Sequence, residues 1–349
     1  MMRNFGLDIM RAFSIWLVLL QHAEIDIPGL SPLKIGGIGV EIFFVLSGFL
    51  IGGILFKEID KGNSFLQTLK SFWVRRWFRI LPLYYAILLF KFIFIDDSIG
   101  WNILYYVFFL QNNIYGIQYF GVSWSLVIEE WFYLFTPVFL LLATMFFKSK
   151  EKVFLSMITF IIFVNISRVI YVYFGNIPYA GVNSNFPFRF DSLFLGVVFS
   201  FAKHNNWKVF NVTISKRLFV VGVILFVGYL LYFWSLSYQK DLINKVLFPR
   251  TIGFFVLPFT ISLTIPYMSG VRLNPDKNIV NKLLYEFISI TSILTYSIYL
   301  THLFIYSLGY NFIISIILVY LISWLIYNWF EKPILKYRDK ITNHKSITV

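Results

Sequence analysis

Residues Ile42–Leu55 read IFFVLSGFLIGGIL, a run with no charged side chain. Wound as a helix, it is apolar on nearly every side, so it has no face to offer to water. Flanking residues extend it to about 20, the length that spans a hydrocarbon core of roughly 30 Å. In that solvent a helix satisfies its own backbone hydrogen bonds, which a lipid-exposed loop or sheet edge does not. Ile15–Leu20 and Ile313–Ile326 have the same texture. The whole chain of 349 residues follows suit, with 58% hydrophobic and only 13% charged residues, where a soluble domain carries about a quarter charged. A water-soluble fold is excluded.

Outward from Ile42–Leu55, the apolar runs predict spans near 6–25, 38–56, 80–95, 123–146, 153–174, 189–202, 218–235, 248–267, 285–307 and 311–330. The fold expected is an all-α integral membrane protein, a bundle of about ten transmembrane helices with both termini cytoplasmic. No repeat or linker divides residues 1–349, so the chain reads as a single domain. The net charge of +13 raises nucleic acid as a partner, but its distribution gives a different reason for it. With the N-terminus inside, 22 of the 30 Lys and Arg residues fall in inside segments, among them Arg3, Lys57, Arg75, Lys148, Lys208, Lys277 and Lys345. Only Lys34, Lys240 and Lys245 fall in outside loops. This is the positive-inside asymmetry; it orients the bundle against membrane lipid and leaves no call for nucleic acid. The first span carries Arg11 and His22 and is followed by no small-residue cleavage site, so it reads as mature structure rather than as a signal peptide.

There is no cysteine, which removes disulfides, thiolate catalysis and Cys-based metal sites. Ionisable residues inside spans are costly and mark sites or pathways. In LDIMRAFSIWLVLLQH, Asp8, Arg11 and His22 share the first span. Eleven residues bring His22 to within about 20° of Arg11 on one helix face and roughly 16 Å further along it. Simple pairing of Asp8 with Arg11 and an interfacial histidine would also account for this stripe. The spans, however, bring other polar groups to a similar outer depth: Glu41, Glu129 and Glu130, Arg168, Arg189 and Asp191, and Tyr296, Tyr299 and His302. A histidine beside a carboxylate is the arrangement that removes a hydroxyl proton. His22 with Glu129 or Glu41 is thus a candidate for that chemistry, and Arg189, Asp191, Tyr299 and His302 are candidates on the substrate side, with packing or interfacial roles equally open from the residues alone. No HxxxH or HExxH spacing fixes a metal, and none is expected. His204 and His344 lie in inside polar segments and read as surface residues.

The segment RRWFRILP puts Arg76 and Arg79 three apart on one helix face at the inner end of the third span. Interfacial snorkelling explains such residues; so does phosphate capture by paired guanidinium donors. A donor with a phosphate-rich head and a long arm fits both ends, its head at these arginines and its reactive end near His22. A proton-coupled permease or exporter uses the same residue types, and composition does not separate the two.

The motifs do. LDIMRAFSIWLVLLQH, GVEIFFVLSGFLI (Gly39–Ile51), RRWFRILP, WSLVIEEWFYL (Trp124–Leu134), RFDSLFLG (Arg189–Gly196), TYSIYLTH (Thr295–His302) and FEKP (Phe330–Pro333) occur in this order from residue 7 to residue 333. Together the set resembles the bacterial membrane acyltransferase-3 family, which acylates exported and cell-surface glycans. The resemblance implies a membrane domain with its core at 6–333 in the bacterial cytoplasmic (inner) membrane. It implies acyl-CoA, probed first as acetyl-CoA, entering from the cytoplasm, and a sugar hydroxyl of a glycan, lipopolysaccharide or another polysaccharide, as acceptor. It makes His22 the catalytic residue, gives Arg11, Arg76 and Arg79 to the donor, and matches Glu129 to the glutamate after WSL. Glu41 stands where the family commonly has Asp, one methylene shorter, which leaves its role open. The chain ends about 16 residues past FEKP without the esterase-like domain of some relatives, so the membrane domain or a separate protein is expected to deliver the acceptor.

Overall fold

The computed structural model describes residues 4–23, 35–238 and 242–341, and every regular element among them is helical. Arg3, Lys34, Lys240, His344 and Lys345, counted in the charge pattern or read as surface residues, lie outside the described residues. The long helices are α1 (Phe5–His22), α2 (Ile35–Ile59), α3 (Phe65–Phe94), α4 (Trp124–Phe146), α5 (Lys150–Gly175), α6 (Phe190–His204) and α7 (Val212–Tyr238). They are followed by α8 (Gly253–Ser262), α9 (Ile279–Tyr306), α10 (Phe312–Ile326) and α11 (Lys332–Ile341).

Local chemistry sets the ends. Asn4 caps α1 by accepting from the Leu7 amide, and Ser64 with Gln67 forms a reciprocal capping box at the start of α3. Ser149 caps α5, which closes on Asn176 in the left-handed region at φ 45°. Pro82 and Pro137 sit inside α3 and α4, where neighbouring helices tolerate them.

Among the described residues seven helices are long and apolar enough to cross a membrane: Ile35–Ile59, Phe65–Phe94, Gly121–Phe146, Lys150–Gly175, Val212–Leu236, Ile279–Tyr306 and Phe312–Ile341. Leu225, Ile224, Ile162 and Phe163 point outward from α7 and α5, as lipid-facing side chains do. Three other predicted spans are helical with a different character. α1 carries Asp8 and Arg11, and α6 has only 15 residues. The stretch predicted at 248–267 is broken into Leu247–Arg250, α8 and Ile265–Met268. Each is largely buried against other helices rather than lipid, which is where short or interrupted helices are permitted at membrane depth.

α2 is the hub. It runs antiparallel to α1, with Gly36 beside Gln21 and Gly39 beside the Ser14 carbonyl. It runs parallel to α6, with Gly48 against Leu193, Gly52 against Ser200 and Phe56 against Phe201; a side chain on Gly48 would strike the Leu193 carbonyl and one on Gly196 the Val45 carbonyl. These two glycines permit backbone-to-backbone approach, the small-residue packing of membrane helices. At the far end Phe56 stacks on His204, with 5.6 Å between ring centroids, and Asp60 lies 3.2 Å from the same histidine. α2 and α6 therefore finish side by side.

The segment between α3 and α4 folds into short helices at Ile103–Val107 and Gln111–Ile114. The Tyr84 and Tyr85 hydroxyls donate to the Tyr106 and Val107 carbonyls, each at 2.9 Å, and Trp131 Nε1 donates to the Phe109 carbonyl at 2.8 Å. Backbone groups that would otherwise lack partners are thus tied to α3 and α4. Burial, then the neighbouring Asp96, pushes the Tyr119 phenol up to about 12.

Candidate functional site

Two histidines meet at one end of the bundle. His22 closes α1 and His302 lies in the last turn but one of α9. His302 Nε2 is 3.3 Å from His22 Nδ1, and the rings are 5.0 Å apart. A carbonyl oxygen only accepts, so the ring nitrogens set against carbonyls carry the protons. These are His22 Nδ1, 2.9 Å from the Val18 oxygen, and His302 Nδ1, 3.1 Å from the Ile298 oxygen. His302 Nε2 is then a lone pair facing the His22 Nδ1 proton, and His22 Nε2 is the basic nitrogen. The Tyr306 hydroxyl donates to the Leu19 carbonyl at 3.2 Å while its ring stands edge-on to His302. Tyr299, three residues before His302, donates to the Val122 carbonyl and accepts from Ser125 Oγ.

The carboxylates expected beside His22 have other partners. Glu41 pairs with Arg189, and both are buried. Arg189 also donates to Asn183 Oδ1 at 2.8 Å and lies over the Phe254 ring at 4.4 Å. Asp191 takes two donors from Arg168, at 2.9 and 3.2 Å, and one from Asn165 at 3.1 Å. Two charge pairs thus tie α2, α5 and α6 together. The direction around a helix, which decides the partner, was not legible in the sequence.

Glu129 accepts from the Tyr133 hydroxyl at 2.8 Å, which leaves that oxygen to accept from Ser47 Oγ at 2.6 Å. The Arg76 guanidinium lies 4.4 Å over the Tyr133 ring. Glu129 therefore belongs with the arginines of α3, and Tyr133 is a member of this group that the sequence reading passed over. Its signal was present, since Tyr133 follows Glu129 by four residues and shares its helix face. Arg79 interacts electrostatically with Arg76, with Arg11 from α1 and with Arg338 from α11. Arg11 is fixed by Asp8 at 3.0 Å, and Asp8 accepts from Ser292 Oγ at 2.7 Å. Arg79 thus lies within electrostatic range of three other arginines, of which Arg11 is paired with Asp8 and Arg338 with Asp339; guanidinium groups are suited to phosphate oxygens. Arg338, in a segment read only as an inside basic tail, was the member not singled out. Among the described residues no three His, Asp or Glu side chains gather as a metal site.

The chain matches the model of a family described as acyltransferase domain over residues 4–335. It is 26% identical over 370 aligned residues to O-acetyltransferase OatA of Staphylococcus aureus strain NCTC 8325, covering 95% of this chain and 57% of that protein. Peptidoglycan O-acetyltransferase OatA of Listeria monocytogenes serovar 1/2a is 36% identical over 165 residues, 42% of this chain and 25% of that protein. The chain spans 57% to 59% of the length of the curated relatives that it matches almost throughout. No solved structure matches it.

Proposed function

The chain belongs to the acyltransferase family that residues 4–335 match, and from that premise we propose that it is a membrane O-acetyltransferase. Acetyl-CoA is the donor, bound from the cytoplasmic side with its phosphates on Arg11, Arg76, Arg79 and Arg338. The acceptor is a hydroxyl of a cell-surface or exported glycan, with peptidoglycan the first to test because one relative is named for it. The host membrane is the bacterial cytoplasmic membrane. Residues 1–349 act as one membrane domain, and the helices cross ten times with both termini inside. The three crossings beyond the seven apolar helices are α1, α6 and the broken segment around α8; the parallel packing of α2 with α6 supports them.

The observation that carries the reading is the His22–His302 contact. His22 Nε2 takes the proton of the acceptor hydroxyl, whose oxygen forms a bond to the thioester carbonyl carbon. The carbon–sulfur bond breaks, and the proton passes to the CoA thiolate. His302 holds the His22 ring and accepts from the protonated Nδ1 while charge builds on the imidazole. About 16 Å of helix separates Arg11 from His22, a gap for a long donor arm to cross. An acyl-histidine intermediate on the same nitrogen is the alternative course of this chemistry. Glu41, Arg189 and Asp191 then act by holding the helices around the acceptor.

The test uses purified protein in nanodiscs with radiolabelled acetyl-CoA and peptidoglycan fragments or other glycans. Wild type is expected to form an acetylated glycan and His22→Ala none. Movement of glycan across the bilayer without any covalent product would make the chain a permease instead.

A further inference from the structure

FEKP is a matched segment to which the reaction above assigns no part, and its geometry is unusual. Residues Tyr327–Glu331 form a π turn between α10 and α11. Pro333 follows and has no amide hydrogen to return to the Trp329 carbonyl, which favours a widened turn at this place. The inner face of α10 is set by Ser315, Val319 and Ser323, all buried and spaced by four. Each step of four overshoots a full turn by about 40°, so an unbroken α-helix would carry position 331 far off that face. The wider turn takes back part of the drift. Glu331 is buried, while Trp329 is 78% exposed.

The inward carboxylate accepts a hydrogen bond from Ser297 of α9. It lines a cleft with Arg79 and Phe78 of α3, closed on the other side by Phe330, Ile334 and Leu335. The cleft encloses little more than a water-sized space. It therefore suits a side chain presented at an entrance better than a whole donor. Arg79 interacts electrostatically with both Glu331 and Glu129. Next to Ser297, the Tyr296 hydroxyl donates to the Ile80 carbonyl at 2.7 Å, beside Arg79. Five residues further along α9 is His302.

We propose that Glu331 is a positioning residue: fixed by Ser297, it holds the Arg79 guanidinium at the cleft, against repulsion from Arg11, Arg76 and Arg338, in the orientation that takes a donor phosphate. Because Ser297 and His302 share α9, the same helix sets the donor end relative to the histidine pair. The proposal rests on the acetyl-CoA reading above.

Glu331→Gln keeps an acceptor for Ser297 and removes the charge. It is expected to raise KM for acetyl-CoA at least 10-fold with kcat within about 3-fold, and Glu331→Asp to recover part of the loss. Arg79→Ala with Glu331→Gln should bind donor no worse than Arg79→Ala alone. Ser297→Ala, a milder change, should raise KM less than Glu331→Gln and in the same direction. An unchanged KM in Glu331→Gln, or additive losses in the double variant, overturns the proposal. Thermal unfolding of the same four proteins needs no donor: non-additive midpoints show that Glu331 acts through Arg79, and additive ones show that it does not. If wild type fails to use acetyl-CoA, the donor reading falls and this unfolding cycle alone decides the role of Glu331.

Discussion

His302 Nε2 faces His22 Nδ1 at 3.3 Å, across 280 residues of sequence. The contact makes one histidine the acceptor for the other, so the two are not equivalent. His22 ends its helix and keeps Nε2 basic, whereas His302 is fully buried and has Nδ1 committed to Ile298. His22→Ala is expected to lower kcat by 10² to 10⁴, the range for loss of a general base. His302→Ala should cost about 10-fold in kcat with little change in donor KM, because the base remains but its ring is no longer held. Steady-state acetyl transfer in nanodiscs checks both. Equal losses for the two variants would contradict the division of labour.

Tyr133 links Glu129 to Ser47 and carries Arg76 on its ring. Tyr133→Phe removes the hydroxyl and keeps the ring. A hydrogen bond to a charged group contributes about 1.5–3 kcal/mol, and the lost partner is buried. The expected result is a fall of that order in unfolding free energy and a rise of several-fold in donor KM. Tyr133→Ala, which also removes the surface under Arg76, should raise KM further. Denaturation in detergent together with CoA calorimetry separates the two contributions.

Much of this was legible in the sequence. Periodicity puts Arg11 and His22 on one stripe of α1, and apolar runs locate most of the helices, although α3 begins at Phe65, well before the span expected at 80–95, and the stretch 248–267 is broken. What sequence lacks is the azimuth of one helix against another. Glu41 and His22 lie at comparable depth, but Glu41 turns toward α6 and meets Arg189. Glu129 turns toward Arg76, and the partner of His22 comes from TYSIYLTH, far along the chain. Chain folding also hid Glu331, because an α-helical extrapolation through FEKP carries it away from Arg79 and only the π turn returns it.

The Arg168–Asp191 pair is fully buried, with both side chains 0% exposed. Removing one member leaves an uncompensated charge in a low dielectric, at a cost of about 3–5 kcal/mol. Arg168→Ala and Asp191→Ala are each expected to lower the unfolding midpoint sharply. Replacing both at once, Arg168→Met with Asp191→Leu, should be less damaging than either single change, since no charge is stranded. A double replacement worse than both singles would show that the pair is needed for more than neutralisation.

The number of crossings can be read chemically because the chain contains no cysteine, so a single introduced thiol is the only one labelled. Lys57, in the last turn of α2, and Lys208, after α6, are exposed, and the two helix ends meet at Phe56, Asp60 and His204. If α6 crosses beside α2, the two lysines share the cytoplasmic side with Lys148 and Lys277, and Lys245 lies opposite. If only the seven apolar helices crossed, α6 would not return the chain, and Lys208 would sit across the membrane from Lys57. That arrangement would split the basic residues between the two sides, against the positive-inside bias. Lys57→Cys and Lys208→Cys, probed in intact cells with a membrane-impermeant maleimide, are therefore expected to be equally protected while Lys245→Cys is labelled. Labelling of Lys208→Cys with Lys245→Cys protected would reduce the count and remove α6 from the crossing helices, because α7 separates the two positions.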